Sequence, residues 1–221
     1  DQILHIHDLS KKMDGQTLFT GLELNVSKGD KIAIISRDSL APTALYQILA
    51  GEIEADHGEF EFGQTMVPAY LPNDNSTFFN DQLNLIDWLR QYSTDKDESY
   101  VRGFLGKMLF SGEETLKMSH VLSGGEKVRC MVSRVMLQGG NLLMLDEPTN
   151  HLDLESITAF NNALRDFPGT VLFTSHDHQF TQTVANRILE LTPTGCIDKL
   201  MTYDEYISSD KVASQKGEMY A

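Results

Sequence analysis

The 221-residue sequence holds only two cysteines, Cys130 and Cys196. A pair that sparse supplies neither a disulfide framework nor a cysteine metal cluster, and it suits a reducing compartment such as the cytosol. Basic residues are scarce as well. Eighteen Lys and Arg stand against 32 Asp and Glu, for a formal charge of −14. A surface that acidic repels phosphate backbones and excludes a free-standing DNA- or RNA-binding domain, although one preorganised pocket can still hold a localised phosphate group. No apolar run is long enough to cross a bilayer, and the opening residues carry no basic-then-apolar leader pattern. There is no internal repeat and no low-complexity tract. The absence of an initiating Met leads us to expect a segment of something longer. With 41% hydrophobic and 23% charged residues the composition is globular, and the length supports a packed core without a disulfide or metal staple. The expectation is a cytoplasmic α/β domain.

The first third reads as strands. Ile3, His5 and His7 alternate with Leu4, Ile6 and Asp8, and Leu22 to Val26 alternates in the same way, as half-buried strands do. Asp14 and Gly15 mark a turn between them. Residues 31–35 are apolar on both faces, which predicts a central strand. They lead into Ser36, Arg37, Asp38 and Ser39, and then a helix over 42–50 that Gly51 stops. Residues 59–62 and 67–71 predict two more strands. From Asp81 the pattern turns helical, with Leu83, Ile86 and Leu89 and then Val101, Phe104, Leu105 and Met108 at helical spacing. Residues 80–138 therefore read as an all-helical subdomain inserted into an α/β core of residues 1–79 and 139–221. Trp88 and Phe78, Phe79, Phe104 and Phe110 are expected to pack within it. The last third alternates strand (141–145), helix (154–167), strand (169–173) and helix (178–185), which means parallel strands with right-handed crossovers. A hairpin over 188–198, a short helix over 203–207 and a polar tail complete the chain.

Three of the buried strands end in polar tips: Ser36, Arg37 and Asp38; Asp146 and Glu147; Ser175, His176 and Asp177. Ligands of open parallel sheets sit at the carboxyl ends of the strands, so these tips are expected to converge there. Four aliphatics followed by Asp146 and Glu147 match a strand that holds Mg²⁺ through its Asp, with the adjacent Glu placed to polarise water. Separately, Leu122, Ser123, Gly124, Gly125 and Glu126 precede a helix expected over 128–137. Ser123 and Glu126 have the spacing of a capping box. The two glycines beside a helix N-terminus leave backbone N–H groups facing outward, where a phosphate can be bound.

Taken in order, Leu122-Ser-Gly-Gly-Glu, then Asp146-Glu-Pro-Thr-Asn-His-Leu-Asp153, then Ser175-His-Asp177 resembles the signature, Walker B, D-loop and H-loop series of ABC ATPases. The resemblance covers essentially the whole chain. It implies the P-loop NTPase-like ABC fold: a mainly parallel core sheet, an N-terminal antiparallel β-subdomain and the inserted helical subdomain. Glu126 after the glycine pair and the spelling Thr-Asn-His-Leu-Asp further resemble the ABC-F subfamily, in particular its second, C-terminal domain. That implies ATP and Mg²⁺ as cofactors, a second ABC domain of the same chain or a homodimer partner, and ribosome association through other parts of the protein.

Carried over residue by residue, the resemblance makes Glu147 and His176 the catalytic pair, and Asp146 and Thr43 the Mg²⁺ ligands. Ser123, Gly124, Gly125, Glu126 and Asp153 become nucleotide contacts, with Ser123 and the glycines offered to the partner domain's ATP. His151 is expected to pack or bond across the domain interface. A P-loop follows G-x-x-x-x-G-K-[ST]. Here Ser36 and Ala41 stand on the glycines, Arg37, Asp38, Ser39 and Leu40 lie between them, Pro42 replaces the Lys, and only the hydroxyl of Thr43 survives. Pro42 removes both a charge and an N–H. Losing one charge-assisted contact of about 1.5–3 kcal/mol weakens phosphate binding roughly tenfold to a hundredfold. Arg37 is read as a solvated side chain, and His178 as a surface residue. Met13 stands where the family stacks an aromatic on adenine, and Asn73 near the Q-loop Gln, one methylene short. The expectation is a weak or inactive site of its own, with a signature that completes the partner's. Gly125→Asp is expected to block ATP-driven closure with almost no loss of domain stability. The alternatives are the ATP-binding subunit of a transporter and a non-hydrolysing scaffold.

Overall fold

A strand that is apolar on both faces needs a core on each side, and residues 31–35 have two. The computed structural model describes residues 2–72, 74–150 and 152–221. Strands β1 (Gln2–Met13) and β2 (Gln16–Ser27) form a long hairpin. Its two-residue turn, Asp14 and Gly15, has positive φ at both positions (51° and 78°), the conformation that matches the right-handed twist of the strands. Strand β3 (Lys31–Ile35) follows, then helix α1 (Leu40–Leu49) and strands β4 (His57–Phe62) and β5 (Pro68–Leu71). Helices α2 (Leu85–Arg90), α3 (Glu98–Lys107) and α4 (Gly124–Leu137) come next, with 3₁₀ turns at Glu114–Leu116 and Ser119–Val121. The chain then runs through β6 (Leu142–Asp146), α5 (Leu154–Arg165), β7 (Thr170–Thr174) and α6 (His178–Val184). Strands β8 (Arg187–Thr192) and β9 (Gly195–Lys199) and helices α7 (Tyr203–Ser208) and α8 (Asp210–Met219) complete it.

A three-stranded antiparallel sheet has the order β2-β1-β4, and a six-stranded sheet the order β5-β6-β7-β3-β8-β9. Five strands of the larger sheet are parallel, and β9 pairs antiparallel with β8. The period-2 geometry of strands divides their apolar residues between two cores. Ile32, Ile34, Leu142, Met144 and Leu172 join the hairpin and α1 on one face. Ala33, Leu143, Leu145, Val171 and Phe173 join the helices on the other. Trp88 sits in this second core, stacked on Phe79 at 4.9 Å, with its indole N–H given to the carbonyl of Phe78.

Three element ends depart from the sequence reading. Helix α1 starts two residues early and takes Pro42 into its first turn, where an N–H has no intrahelical partner and its loss is tolerated. Helix α4 starts at Gly124, so the glycine pair is its first turn rather than a loop before it. The polar tail is a helix: Ser209 caps α8 through the amide of Val212, Val212 is buried, and the segment folds back toward the core sheet.

Candidate functional site

β6, β7 and β3 are neighbours in that order, and so the three polar tips meet. Thr43 in the first turns of α1 donates its hydroxyl to Asp146 Oδ2 at 2.8 Å. The Tyr70 hydroxyl approaches the same oxygen at 3.5 Å. Asp146 is almost wholly buried, and burial raises its pKa, with the Thr43 and Tyr70 bonds opposing. These hard oxygen donors fit Mg²⁺, which takes one or two protein ligands and fills its octahedron with water and phosphate. Bound there, the ion would neutralise charge on a nucleotide's phosphates.

Glu147 holds a positive φ of 52°, a conformation that costs a non-glycine residue on the order of 1 kcal/mol and concentrates at functional sites. Its amide bonds the Thr174 carbonyl at 2.8 Å, which ties the strained residue to the adjacent strand. Both of its carboxylate oxygens turn to His176: Oε1 lies 3.0 Å from Nε2, and Oε2 accepts the His176 amide at 3.3 Å. The histidine side chain is 83% exposed and the carboxylate 15%. Burial raises the Glu147 pKa and His176 draws it back. This pair has the form of a base with an orienting group, open to solvent on the histidine side.

Three backbone amides of residues 36–42 bond within that stretch. The amide of Asp38 bonds Ser36 Oγ at 3.2 Å, Leu40 bonds Asp38 Oδ1 at 2.9 Å, and Ala41 bonds the Asp38 carbonyl at 3.1 Å. Pro42 has no N–H. The Asp38 carboxylate thus accepts an amide of this stretch. Ser39 caps α1 without a side-chain bond. Arg37 is exposed, as read, and its guanidinium lies 3.7 Å from the ring centre of Tyr220. A cavity of about 370 Å³ opens beside the loop, lined by Arg37, Pro42, Glu147, His176, Glu190 and Lys216 among others. His178, read as surface, also borders it and pairs with Asp204 at 2.6 Å.

The signature residues open α4, whose first turn meets Ser156 of α5. Ser123 and Glu126 form the expected capping box, and Glu126 also accepts from Lys117 at 2.7 Å. Gly124 is exposed, but Gly125 is buried against α5. A Cβ on Gly125 would stand 2.5 Å from the Ser156 Cβ. The glycine therefore permits close packing of two helices, which corrects the expectation that its replacement would leave stability alone. Asp153 caps α5 through the Ser156 amide at 2.7 Å, and its bonds to Ser156 lower its pKa. Asn73 and His151 lie outside the described residues. Met13 ends β1, partly buried against the hairpin core.

A family model described as ABC transporter matches residues 19–150. The chain belongs to this family of ATP-binding domains. Among curated proteins, this ABC domain is 55% identical over 223 residues to an uncharacterized ABC transporter ATP-binding protein, YkpA, of Bacillus subtilis strain 168; the match covers 100% of the chain and 41% of YkpA. It is 37% identical to the probable ATP-binding protein YbiT of Escherichia coli O157:H7, over 93% of the chain and 39% of YbiT. It is 32% identical to the energy-dependent translational throttle protein EttA of Haemophilus influenzae, over 86% of the chain and 35% of EttA. The ABC domain thus spans about two fifths of the length of these relatives. Its fold superposes on a putative metal-chelate type ABC transporter with a TM-score of 0.80 at 19% identity, covering 97% of the chain and 88% of the other. Among the described residues no helix is long and apolar enough to cross a membrane.

Sequence reasoning missed Tyr70, Ser156 and the whole set of Glu190, Tyr206, Lys216 and Tyr220. Tyr70 and Glu190 lie on strands whose alternation hides which face they meet. The helix that brings Lys216 and Tyr220 was legible only through Ser209, a capping residue followed by helix formers.

Proposed function

We propose that this ABC domain is one of two nucleotide-binding domains of an ABC-F-type ATPase that acts in the cytoplasm on the ribosome, with a degenerate phosphate loop of its own and a signature that completes its partner's ATP site. The observation that supports the reading is the hydrogen bonding of residues 36–42, where three amides bond within the loop, two of them to Asp38, and Pro42 has none to give. Thr43 with Asp146, Glu147 with His176, and the capped signature helix keep the parts that the other half of such a dimer uses or faces. The likeness to EttA, whose name assigns it to translation, and the spelling of signature and D-loop support the ABC-F assignment over a transporter subunit.

The reading predicts weak Mg-ATP binding by this chain in calorimetric titration, well above micromolar Kd. A low-micromolar Kd would show the loop competent. Ribosome association is tested by ATP-dependent cosedimentation of the full-length protein, and copurification with a membrane permease would favour the transporter instead.

A further inference from the structure

The phosphate cavity is bounded on one side by a segment that no motif of the domain uses. Tyr220, at the end of α8, lays its ring under the Arg37 guanidinium at 3.7 Å. Its hydroxyl donates to Glu190 Oε2 at 2.6 Å and approaches the Leu191 carbonyl at 3.2 Å. One turn back, Lys216 pairs with Glu190 Oε1 at 3.1 Å, and the Tyr206 hydroxyl donates to the same oxygen at 2.7 Å. Glu190 is only 3% exposed, so its charge must be met by these partners or left unpaired in the core. Thr194 adds a bond from its hydroxyl to the Met219 carbonyl. The end of α8 is thereby anchored on β8, with an aromatic ring against Arg37 of the phosphate loop.

We propose that α8 and Tyr220 form a latch on the phosphate loop: by holding Arg37 on the Tyr220 ring, the latch pins at the cavity wall the one cation that the loop itself carries. The proposal rests on the reading of residues 36–43 as a phosphate site and adds its regulation. With Pro42 in place of a lysine, Arg37 is the loop's only cationic side chain, and Lys216 is neutralised by Glu190. In the latched state the cavity wall carries Glu147, Asp177 and the Lys216–Glu190 pair, with Arg37 held on the Tyr220 ring. Release of Tyr220 frees Arg37 to reach further into the cavity. The contact is poised for such an exchange, since a cation–π pair at the surface is weak and is readily replaced by a charge-assisted bond to phosphate. Tyr220 lies past the last turn of α8, where it can leave without breaking any strand.

The test is calorimetric titration of the 221-residue chain with Mg-ATP, alongside Tyr220→Ala and the double variant Arg37→Met with Tyr220→Ala. If the latched form holds about nine tenths of the molecules, its removal tightens binding about tenfold, because apparent affinity scales with the competent fraction. The gain should vanish in the double variant. Hydrogen exchange at residues 36–41 should also quicken in Tyr220→Ala, which reports release of the loop whatever the ligand does. Equal affinity and equal exchange in the parent and Tyr220→Ala would overturn the latch and leave the weak-site reading standing. A gain that survives Arg37→Met would overturn the role of Arg37. A parent that already binds at low micromolar Kd counts against the weak-site reading, while the ratio of variant to parent still decides the latch.

Discussion

Thr43 and Asp146 are joined by a 2.8 Å hydrogen bond across the gap between α1 and β6. Each is therefore already partnered where a P-loop domain would place Mg²⁺, and the carboxylate is held in the dry sheet end. Its pKa is raised above the ordinary 3.8 by burial, so the ionised form is the one the fold disfavours. The contribution of this group is complete below pH 3.8 and is lost as the pH rises through the folded pKa, leaving a cost at neutral pH. Asp146→Asn should remove that cost while its side-chain oxygen still accepts from Thr43. We expect unchanged stability or a gain of up to about 1 kcal/mol at pH 7 without Mg²⁺, read from thermal unfolding, together with loss of any Mg²⁺-dependent shift in Tm. A clear drop in Tm would mean that the charge itself holds the strand tips together.

Gly125 packs its Cα face on Ser156. Gly125→Ala should cost about 1–3 kcal/mol, the usual penalty for overpacking, because the clash involves Ser156 Cβ and, at 3.3 Å, its Cα. Ser156→Gly in the same chain should return part of the loss. Denaturant unfolding of the two variants is the measurement, and an unaffected Gly125→Ala would show that α4 and α5 can separate freely.

Gly124 is the better probe of the signature. It is exposed, and an added Cβ meets only a Leu152 methyl at 2.9 Å. In the full-length protein, Gly124→Asp should suppress ATPase activity tenfold or more, since like charges at about 4 Å cost several kcal/mol at an effective dielectric near 20. Glu147→Gln should change the rate less than about twofold. Equal damage from the two would mean that this domain's own site turns over.

Restoring the loop should help only in part. Ala41→Gly with Pro42→Lys adds back a charge-assisted contact and should tighten Mg-ATP about tenfold. The Leu40 amide still belongs to Asp38, however, so a further gain is expected when Asp38→Asn is added. If the double substitution alone gives low-micromolar binding, the internal bonds of the loop are not what limits it.

The tyrosines on Glu190 set an alkaline limit. Burial first, and then the bond to Glu190, raise the pKa of Tyr206 and of Tyr220 well above 10.0. Each hydroxyl ionises more readily in the unfolded chain than in the fold. Their contribution is whole below pH 10 and is lost as the pH rises above it. Urea midpoints measured from pH 8 to pH 11 should fall over the upper part of that range, and fall less steeply in Tyr220→Phe. Parallel slopes would remove Tyr220 from the cause.

Much of the site was legible because its chemistry is local in sequence. Asp146 and Glu147 follow four aliphatics on one strand, His176 follows another, and Ser123 with Glu126, three positions on, forms a capping box. Residues 31–35 announced a strand between two cores, and the Asp14–Gly15 turn fell where the hairpin needs it. The reading failed where one side chain's role depends on a distant neighbour. Gly125 looked like an open amide and is a contact for Ser156, 31 positions on by the numbering. Arg37 is exposed as read, but its contact with the Tyr220 ring was not foreseen.

Alternation, apolar runs, capping residues and the spelling of the phosphate loop are properties of short stretches. The sequence by itself therefore determined the elements, the family to which they belong, and the absence of a lysine at Pro42. Which amides Asp38 occupies, which helix approaches Gly125, and where the tail after Ser209 comes to rest depend on loop closure and on packing between elements far apart in the chain. Tertiary structure alone decided them: a buried charge such as Glu190 must find its partners in space, and the chain order of Tyr206, Lys216 and Tyr220 does not say that they meet there.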